Sequence, residues 1–302
     1  MKVLSPQGMK GGVGKSVNAV NLAGFLASKK EPTLFIDGDY QANSSLFFGA
    51  KKHAILNKAS LYEILMGQKS FSDVIRPTDF PFLDIVPASN ELSRFNQKEQ
   101  DRYTLRAAIR RAKLDKKYKW VVIDSRPELS NLFRNIAVAS NGVFLPVFAD
   151  CDAIDGLSLI LNELRDLSEA KRQTTDGDDI ALLGCVINNI DRKFRTEQAL
   201  LPIIKSALTE KNIPILAEVP RSAGISTSKD SGRPIAFIPK LRNIPVGTAL
   251  EEMAESILKA SSPKKGRPHA IPVFTERETH RLTDQLYSVE ESLAGMSGEL
   301  TL

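Results

Sequence analysis

The chain has 302 residues, 42% of them hydrophobic and 25% charged, with a formal net charge of +5 at pH 7. This length can bury a large core, as one α/β domain or as one domain with an appendage. No apolar run reaches the roughly 18 residues that a membrane-spanning helix needs, and the N-terminus lacks the pattern of a signal peptide, so we expect a cytoplasmic protein. The positive charge favours anionic partners only weakly, because a modest excess is more often a solvated surface.

A glycine-rich stretch near the N-terminus lies between a predicted strand and a predicted helix. It reads Gly8-Met9-Lys10-Gly11-Gly12-Val13-Gly14-Lys15-Ser16, after the apolar pair Val3-Leu4. Strand, glycine-rich loop and helix are the context that a phosphate-binding loop requires, although Met9 stands where the strict pattern has its first glycine. The glycines let backbone N–H groups turn toward a phosphate, and the helix N-terminus adds partial positive charge. In this pattern Lys15 reaches the β- and γ-phosphates of a nucleotide and Ser16 binds Mg²⁺.

The stretch from Lys10 to Ser16 resembles the deviant Walker A motif of the ParA/MinD family of ATPases. In that family the first lysine, here Lys10, reaches across a dimer interface to the partner's nucleotide, so the resemblance implies an ATP-dependent homodimer. It assigns ATP or ADP binding to the loop residues Gly11, Gly12, Val13, Gly14, Lys15, Ser16 and Val17. Val17 departs from the family, which usually has Thr or Ser there, so one hydroxyl contact to a phosphate is lost or replaced.

The next predicted strand, Thr33-Leu34-Phe35-Ile36, ends in Asp37-Gly38-Asp39. Carboxylates at the C-terminal end of a parallel strand lie where ligands bind in open α/β sheets. The segment resembles the family's second nucleotide motif, which implies that Asp39 orients the attacking water and that Asp37 supports the Mg²⁺ shell. Taken alone, the segment is equally compatible with two solvated aspartates in a turn.

Residues 44–113 contain weaker signals. Ser60 and Glu63 have the spacing of a capping box at the start of a short helix, and residues 82–87 resemble a strand of the family. A helix predicted over 101–113 carries a basic stripe made of Arg102, Arg106, Arg110 and Arg111. Most such stripes are solvated faces, and the alternative is contact with nucleic acid.

A strongly apolar strand, Trp120-Val121-Val122-Ile123, ends in Asp124. This is the Walker B pattern, in which the carboxylate lies across from the phosphate loop and holds Mg²⁺ through water. The family usually continues with a small residue and two prolines, whereas this chain continues Ser125-Arg126-Pro127. Arg126 therefore places a charge where the switch II segment begins.

The second half of the chain continues the alternation of strands and helices. Strands are predicted at 142–147, 182–187 and 213–217. The resemblance implies that Asn188 binds the adenine edge and that the loop at Pro220 packs on the base. A turn would explain an asparagine at a strand end equally well. Cys151 and Cys185 lie in apolar or strand-like contexts, typical of buried free thiols rather than of a disulfide or metal site.

Basic residues follow the last predicted strand. In ParA proteins, basic residues of this region contact DNA non-specifically in the ATP-bound dimer. The candidates here are Arg221, Lys229, Arg233, Lys240 and Arg242. The family often has a second arginine shortly after Ile-Pro-Arg, where this chain has Gly224, so the DNA surface is expected to differ in detail.

The C-terminal segment differs in composition from what precedes it. We predict an ATPase domain over 1–260, a linker over 261–272 and a helical extension over 273–302. The extension has apolar residues at alternating four- and three-residue spacing: Leu282, Leu286, Val289, Leu293 and Met296. Such a stripe docks on the same domain, pairs with a second copy or binds a partner. MinD-like relatives end in a membrane-binding helix, but this one is rich in Glu and Asp and lacks a basic polar face, which argues against membrane binding.

The alternation of elements predicts an α/β fold, a mostly parallel twisted sheet with helices on both faces, as in P-loop NTPases of the deviant Walker A type. The resemblance spans residues 1–260. No helix-turn-helix domain precedes the phosphate loop, so the chain resembles the short form of ParA. It implies a Mg²⁺-dependent ATPase whose ATP-sandwich dimer binds DNA non-specifically on the nucleoid. A ParB-like adaptor would stimulate hydrolysis and so drive segregation or positioning of a plasmid, a chromosome or another cargo.

Several alternatives stay open at this level. Close relatives position carboxysomes or chemoreceptor clusters, and MinD-like relatives act at membranes. A metabolic or electron-transfer relative, such as the nitrogenase iron protein, needs paired cluster cysteines, which this chain lacks. A non-enzymatic nucleotide-binding scaffold would follow if Val17 and Arg126 weaken catalysis.

Overall fold

The computed structural model of the protein describes residues 1–97, 101–174, 179–261 and 270–298. Within these residues eight strands form one sheet. The strands are β1 (Lys2–Pro6), β2 (Thr33–Gly38), β3 (Arg76–Pro77), β4 (Leu83–Val86), β5 (Trp120–Ser125), β6 (Gly142–Phe148), β7 (Ala181–Ile190) and β8 (Ile215–Pro220). The helices are α1 (Lys15–Ser28), α2 (Asn43–Phe47), α3 (Lys51–Asn57), α4 (Leu61–Leu65), α5 (Phe71–Val74), α6 (Ser93–Asn96), α7 (Thr104–Arg111), α8 (Asn131–Ala139), α9 (Ala153–Thr174), α10 (Arg195–Glu210), α11 (Ala223–Ser231), α12 (Pro239–Arg242), α13 (Pro245–Ser261) and α14 (Glu276–Gly298).

The strand order across the sheet is β3-β4-β2-β5-β1-β6-β7-β8. All neighbouring strands pair in parallel except the short edge pair β3–β4, which is antiparallel. The central strands β2, β5 and β1 therefore end side by side at one edge of the sheet. This edge is the usual ligand-binding edge of open α/β sheets.

Helices cover both faces of the sheet, which explains the continuous apolar runs of the strands. Leu4, Phe35 and Val122 face one side and pack in a core with α1 and α13. Their sequence neighbours Val3 and Val121 face the opposite side and pack in a core with α4, α7 and α8. The predicted fold class is thus confirmed.

The C-terminal helix α14 lies against α9 and α10 on the outside of one face. Leu282 and Leu286 are buried there, and Ile271 and Phe274 of the preceding segment join the same cluster. Residues 262–269 of the predicted linker and the side chain of Met296 lie outside the described residues. No described helix is both long enough and apolar enough to cross a membrane.

Two local predictions have different outcomes. The capping box at α4 is present, with the Ser60 N–H donating to Glu63 Oε2 at 2.9 Å. The four arginines predicted as a basic stripe do not form a single exposed face. Arg102 precedes α7, and Arg106 is on the buried side of the helix and 8% exposed.

Candidate nucleotide site

The phosphate loop connects β1 to α1 at the ligand-binding edge of the sheet. Gly12 has φ of 79° and Gly14 has φ of 94°, left-handed conformations that glycine adopts without steric cost. Gly14 immediately precedes α1. The free N–H groups of this helix start therefore face the same space as the loop, which is the arrangement that binds phosphate.

A cavity of about 860 Å³ lies in front of this loop. The predicted site residues that line it are Gly12, Gly14, Lys15, Ser16, Val17 and Asp39, and Arg126 and Lys229 line it as well. Pro220 and Arg221 instead line a separate cavity of about 730 Å³. Lys229, predicted from the sequence as a DNA contact, thus borders the nucleotide cavity.

Lys15 is a buried cation in the first turn of α1. It is 6% exposed, and its Nζ donates to the backbone oxygen of Lys10 at 2.8 Å. Burial lowers the pKa of Lys15 to about 8, the charges of Asp124 and Asp39 oppose this, and the charge of Arg126 adds to it. A buried ammonium with a backbone partner is well matched to a phosphate anion.

Asp37 and Asp124 lie directly opposite each other at the ends of β2 and β5. They are 0% and 1% exposed, and burial raises the pKa of Asp37 to about 7 and that of Asp124 to about 6. The charge of Asp124 adds to the rise at Asp37, and a hydrogen bond from the Ser16 hydroxyl counteracts the rise at Asp124. Two desolvated carboxylates beside a serine hydroxyl fit a hard divalent cation such as Mg²⁺.

Serines from α2 complete the surroundings of these carboxylates. Ser44 Oγ donates to Asp124 Oδ2 at 2.8 Å, and the N–H and hydroxyl of Ser45 donate to Asp37 Oδ2 at 2.7 and 2.6 Å. Sequence reasoning missed both serines. Among the described residues no group of three or more His, Cys, Asp and Glu side chains could hold a metal, so a cation here would need nucleotide oxygens and water as further ligands.

Asp39, the predicted water-orienting residue, is held in an ion pair. Its Oδ1 accepts from Arg126 Nη1 at 2.9 Å and from the Gln41 N–H at 2.9 Å. The guanidinium carbon of Arg126 lies 3.8 Å from the centre of the Tyr40 ring. The departure from the family at position 126 therefore acts directly on Asp39.

Lys10 does not line this cavity and is bound within its own chain. Its Nζ donates to Asp150 Oδ2 at 2.7 Å and to Asp152 Oδ2 at 3.0 Å. Burial alone would lower the pKa of Lys10, but the hydrogen bonds and charges of the two aspartates raise it overall. Both aspartates follow β6, so the strand-end rule that singled out Asp37 could have found them.

Asn188 lies against the phosphate loop. It is 6% exposed, and its Nδ2 donates to the backbone oxygen of Val13 at 2.7 Å. The remaining predicted nucleotide residue, Gly11, is exposed on the loop.

The five predicted DNA contacts occupy the segment from the end of β8 to α12. Arg221 pairs with Glu197 at 3.7 Å and Arg242 pairs with Glu251 at 3.1 Å. Arg233 lies over the Phe80 ring at 5.6 Å. Within the described residues Lys229 and Lys240 have no ion pair.

Comparison with known proteins agrees with this geometry. A family model described as an AAA domain matches residues 1–176. The chromosome partitioning protein ParA of Caulobacter vibrioides is 28% identical over 239 residues, 78% of this chain and 86% of that protein. The sporulation initiation inhibitor protein Soj of Bacillus subtilis is 27% identical over 248 residues, 81% of this chain and 94% of that protein.

A solved structure shares the fold. The putative plasmid partition protein of Borrelia burgdorferi bound to AMPPNP superposes with a TM-score of 0.66 at 24% identity, over 85% of this chain and 98% of that one. Fold, phosphate loop and relatives agree, and the chain belongs to the ParA/MinD family of P-loop ATPases.

Proposed function

We propose that this protein is a ParA-type ATPase whose ATP-bound dimer binds DNA non-specifically and positions a cargo. The cargo that we propose is a plasmid or a chromosome. One observation carries the proposal: Lys15 and Ser16 line the cavity in front of the phosphate loop, and the Ser16 hydroxyl is hydrogen-bonded to Asp124, which is buried beside Asp37. This set is what hydrolysis of a nucleoside triphosphate requires.

The residues of the site divide the work of hydrolysis. Lys15 binds the β- and γ-phosphates and stabilises the charge that develops on them. Ser16, Asp124 and Asp37 would hold Mg²⁺, which would neutralise phosphate charge when bound. Asp39 orients the attacking water once its carboxylate is released from Arg126. Lys10 leaves Asp150 and Asp152 and reaches the nucleotide of the second subunit.

The DNA-bound state rests on charge. Arg221, Lys229, Arg233, Lys240 and Arg242 would contact phosphates without reading bases, which supports non-specific binding that weakens steeply with salt. A ParB-like adaptor would stimulate hydrolysis and release the dimer from DNA, on the nucleoid in the cytoplasm. A protein cargo, such as a carboxysome or a chemoreceptor cluster, would use the same cycle.

A MinD-like role at a membrane is less well supported. The apolar stripe that such a role needs is covered here, because Leu282 and Leu286 pack against α9 and α10. Membrane binding would therefore require α14 to leave the domain.

The test is DNA binding by the purified protein without nucleotide, with ADP and with ATP, in parallel with a Lys10→Ala variant. We expect DNA binding with ATP only, and we expect Lys10→Ala to lose it. The logarithm of the binding constant should fall linearly with the logarithm of the salt concentration. A Lys52→Ala variant, which removes an exposed lysine outside the loop, should bind as the unaltered protein does.

ATP turnover completes the test. Asp39→Ala should abolish turnover and retain ATP binding. Absence of DNA binding in every state, despite ATP-driven dimerisation, would contradict the DNA mechanism, and absence of turnover in both proteins would favour a nucleotide-binding scaffold.

A further inference from the structure

Arg126 occupies a central position in the nucleotide site. It is two residues beyond Asp124, where β5 ends between β2 and β1. Its side chain is 20% exposed and lines the cavity together with Lys15, Ser16 and Asp39. A long cation at the end of β5 thus shares the space that a nucleotide phosphate would fill.

The guanidinium of Arg126 is held on one edge and has spare donors. Nη1 donates to Asp39, and the guanidinium carbon lies 3.8 Å from the centre of the Tyr40 ring. Nε is buried and makes no hydrogen bond, although it forms a looser ion pair with Glu128 Oε1 at 3.6 Å. A guanidinium has five N–H donors, so Arg126 can bind a further acceptor with several oxygens.

The charges around the cavity favour an anion there. Lys15 and Arg126 are like charges, and both line the same cavity. Arg126 is paired with Asp39 at 2.9 Å and more loosely with Glu128 at 3.6 Å. A phosphate group between Lys15 and Arg126 would be attracted by both cations and would compete with Asp39 for Arg126.

We propose that Arg126 binds the terminal phosphate of ATP, and that its ion pair with Asp39 is its position when that phosphate is missing. With ATP, Arg126 turns from Asp39 to the γ-phosphate, and the Asp39 carboxylate becomes available to water. With ADP, the ion pair persists. Arg126 therefore makes the site distinguish ATP from ADP within one subunit. This inference rests on the proposed function, since it assumes that the site binds ATP.

The test is equilibrium binding of Mg²⁺·AMPPNP and of Mg²⁺·ADP, by calorimetry at protein concentrations where light scattering shows a monomer. Arg126→Gln removes the charge and the fork of donors. A charged hydrogen bond of the usual strength predicts that AMPPNP binding weakens about 10- to 100-fold, whereas ADP binding changes less than about twofold. Arg126→Lys should give an intermediate loss for AMPPNP, because lysine keeps the charge without the fork.

A double-mutant cycle with Asp39→Asn tests the competition. Asp39→Asn should tighten AMPPNP binding. The gain should be smaller in the Arg126→Gln background, because there is no arginine for which residue 39 and the phosphate could compete. Equal effects in both backgrounds, or equal loss of AMPPNP and ADP binding in Arg126→Gln, would overturn the proposal and leave the ion pair a structural one. If Arg126→Gln does not fold, Arg126→Lys still tests whether AMPPNP binding weakens more than ADP binding, with a smaller expected difference. Failure of the proposed function looks different, because the unaltered protein would then bind neither nucleotide.

Discussion

Gly14 and Asn188 show how closely the phosphate loop is packed. The backbone of Gly14 is left-handed, and a Cβ built on it would lie 2.7 Å from Asn188 Nδ2. Gly12 is also left-handed, but a Cβ there would meet nothing within 4 Å. Replacing either glycine therefore strains the backbone in the same way. Only at position 14 does the new side chain also collide with a neighbour, Asn188.

This difference predicts unequal effects of alanine. Both Gly12→Ala and Gly14→Ala should lose about 1–2 kcal/mol of unfolding free energy from the left-handed backbone. Gly14→Ala should lose about 1 kcal/mol more, because Asn188 must move and release the Val13 carbonyl. Urea unfolding without nucleotide measures both, and equal losses would show that Asn188 adapts freely.

At the scale of elements, α14 reaches the loop that holds Lys10. Tyr287 donates to Asp152 Oδ1 at 2.8 Å, and Cys151 Sγ donates to Glu290 at 3.0 Å. Cys151 is 5% exposed, and burial together with Glu290 raises the pKa of its thiol to about 12. The thiol is thus protonated and covered as long as the helix is docked, and thiolate is the form that reacts.

Cys151 can therefore report on the docking of α14. Leu286→Ala removes a fully buried side chain and should destabilise the docked helix by about 2–5 kcal/mol. We expect faster alkylation of Cys151 at mildly alkaline pH, because the thiol becomes exposed and its pKa falls toward the ordinary value. Cys185 is the internal control, since it is 0% exposed within the central part of β7, and its rate should not change. Unchanged labelling of Cys151 would mean that other contacts keep the helix in place.

At the scale of the whole molecule, the pairing of Lys10 opposes the proposed dimer. Lys10 is bonded to Asp150 and Asp152 of its own chain, and a lysine that crosses to a second subunit must first break these bonds. The pairs are exposed, with 41% of the Lys10 side chain accessible, so each is worth only about 0.2–1 kcal/mol. The cost of release is small but acts in both subunits.

Removing one of these carboxylates should favour the dimer. Asp152→Asn keeps an oxygen for Tyr287 and loses the charge pair with Lys10, so the ATP-dependent dimer should form at concentrations at least about twofold lower. Asp155→Asn is the matched control, because Asp155 accepts from Thr283 and does not pair with Lys10. Sedimentation velocity with ATP measures the equilibrium. The same dimer affinity in both variants would indicate that release of Lys10 does not limit dimerisation.

The sequence by itself determined the phosphate loop, the fold class and the ends of the central strands. These depend on local chemistry: glycines that adopt left-handed backbone, a helix that starts at Lys15, and apolar runs closed by Asp37 and Asp124. The capping box at Ser60 was also predictable from the sequence, because it depends on residues only three positions apart. Whether Asn188 contacts adenine stays a prediction.

Only the tertiary structure decided which groups these residues meet. Asp39 and Arg126 are 87 residues apart, and Lys10 and Asp150 are 140 apart. They meet because β2 pairs with β5 and β1 pairs with β6, an order of strands that local patterns do not encode. The same holds for α14, whose apolar stripe was compatible with its own domain, a second copy or another partner. Its burial against α9 and α10 depends on surfaces formed by distant parts of the chain.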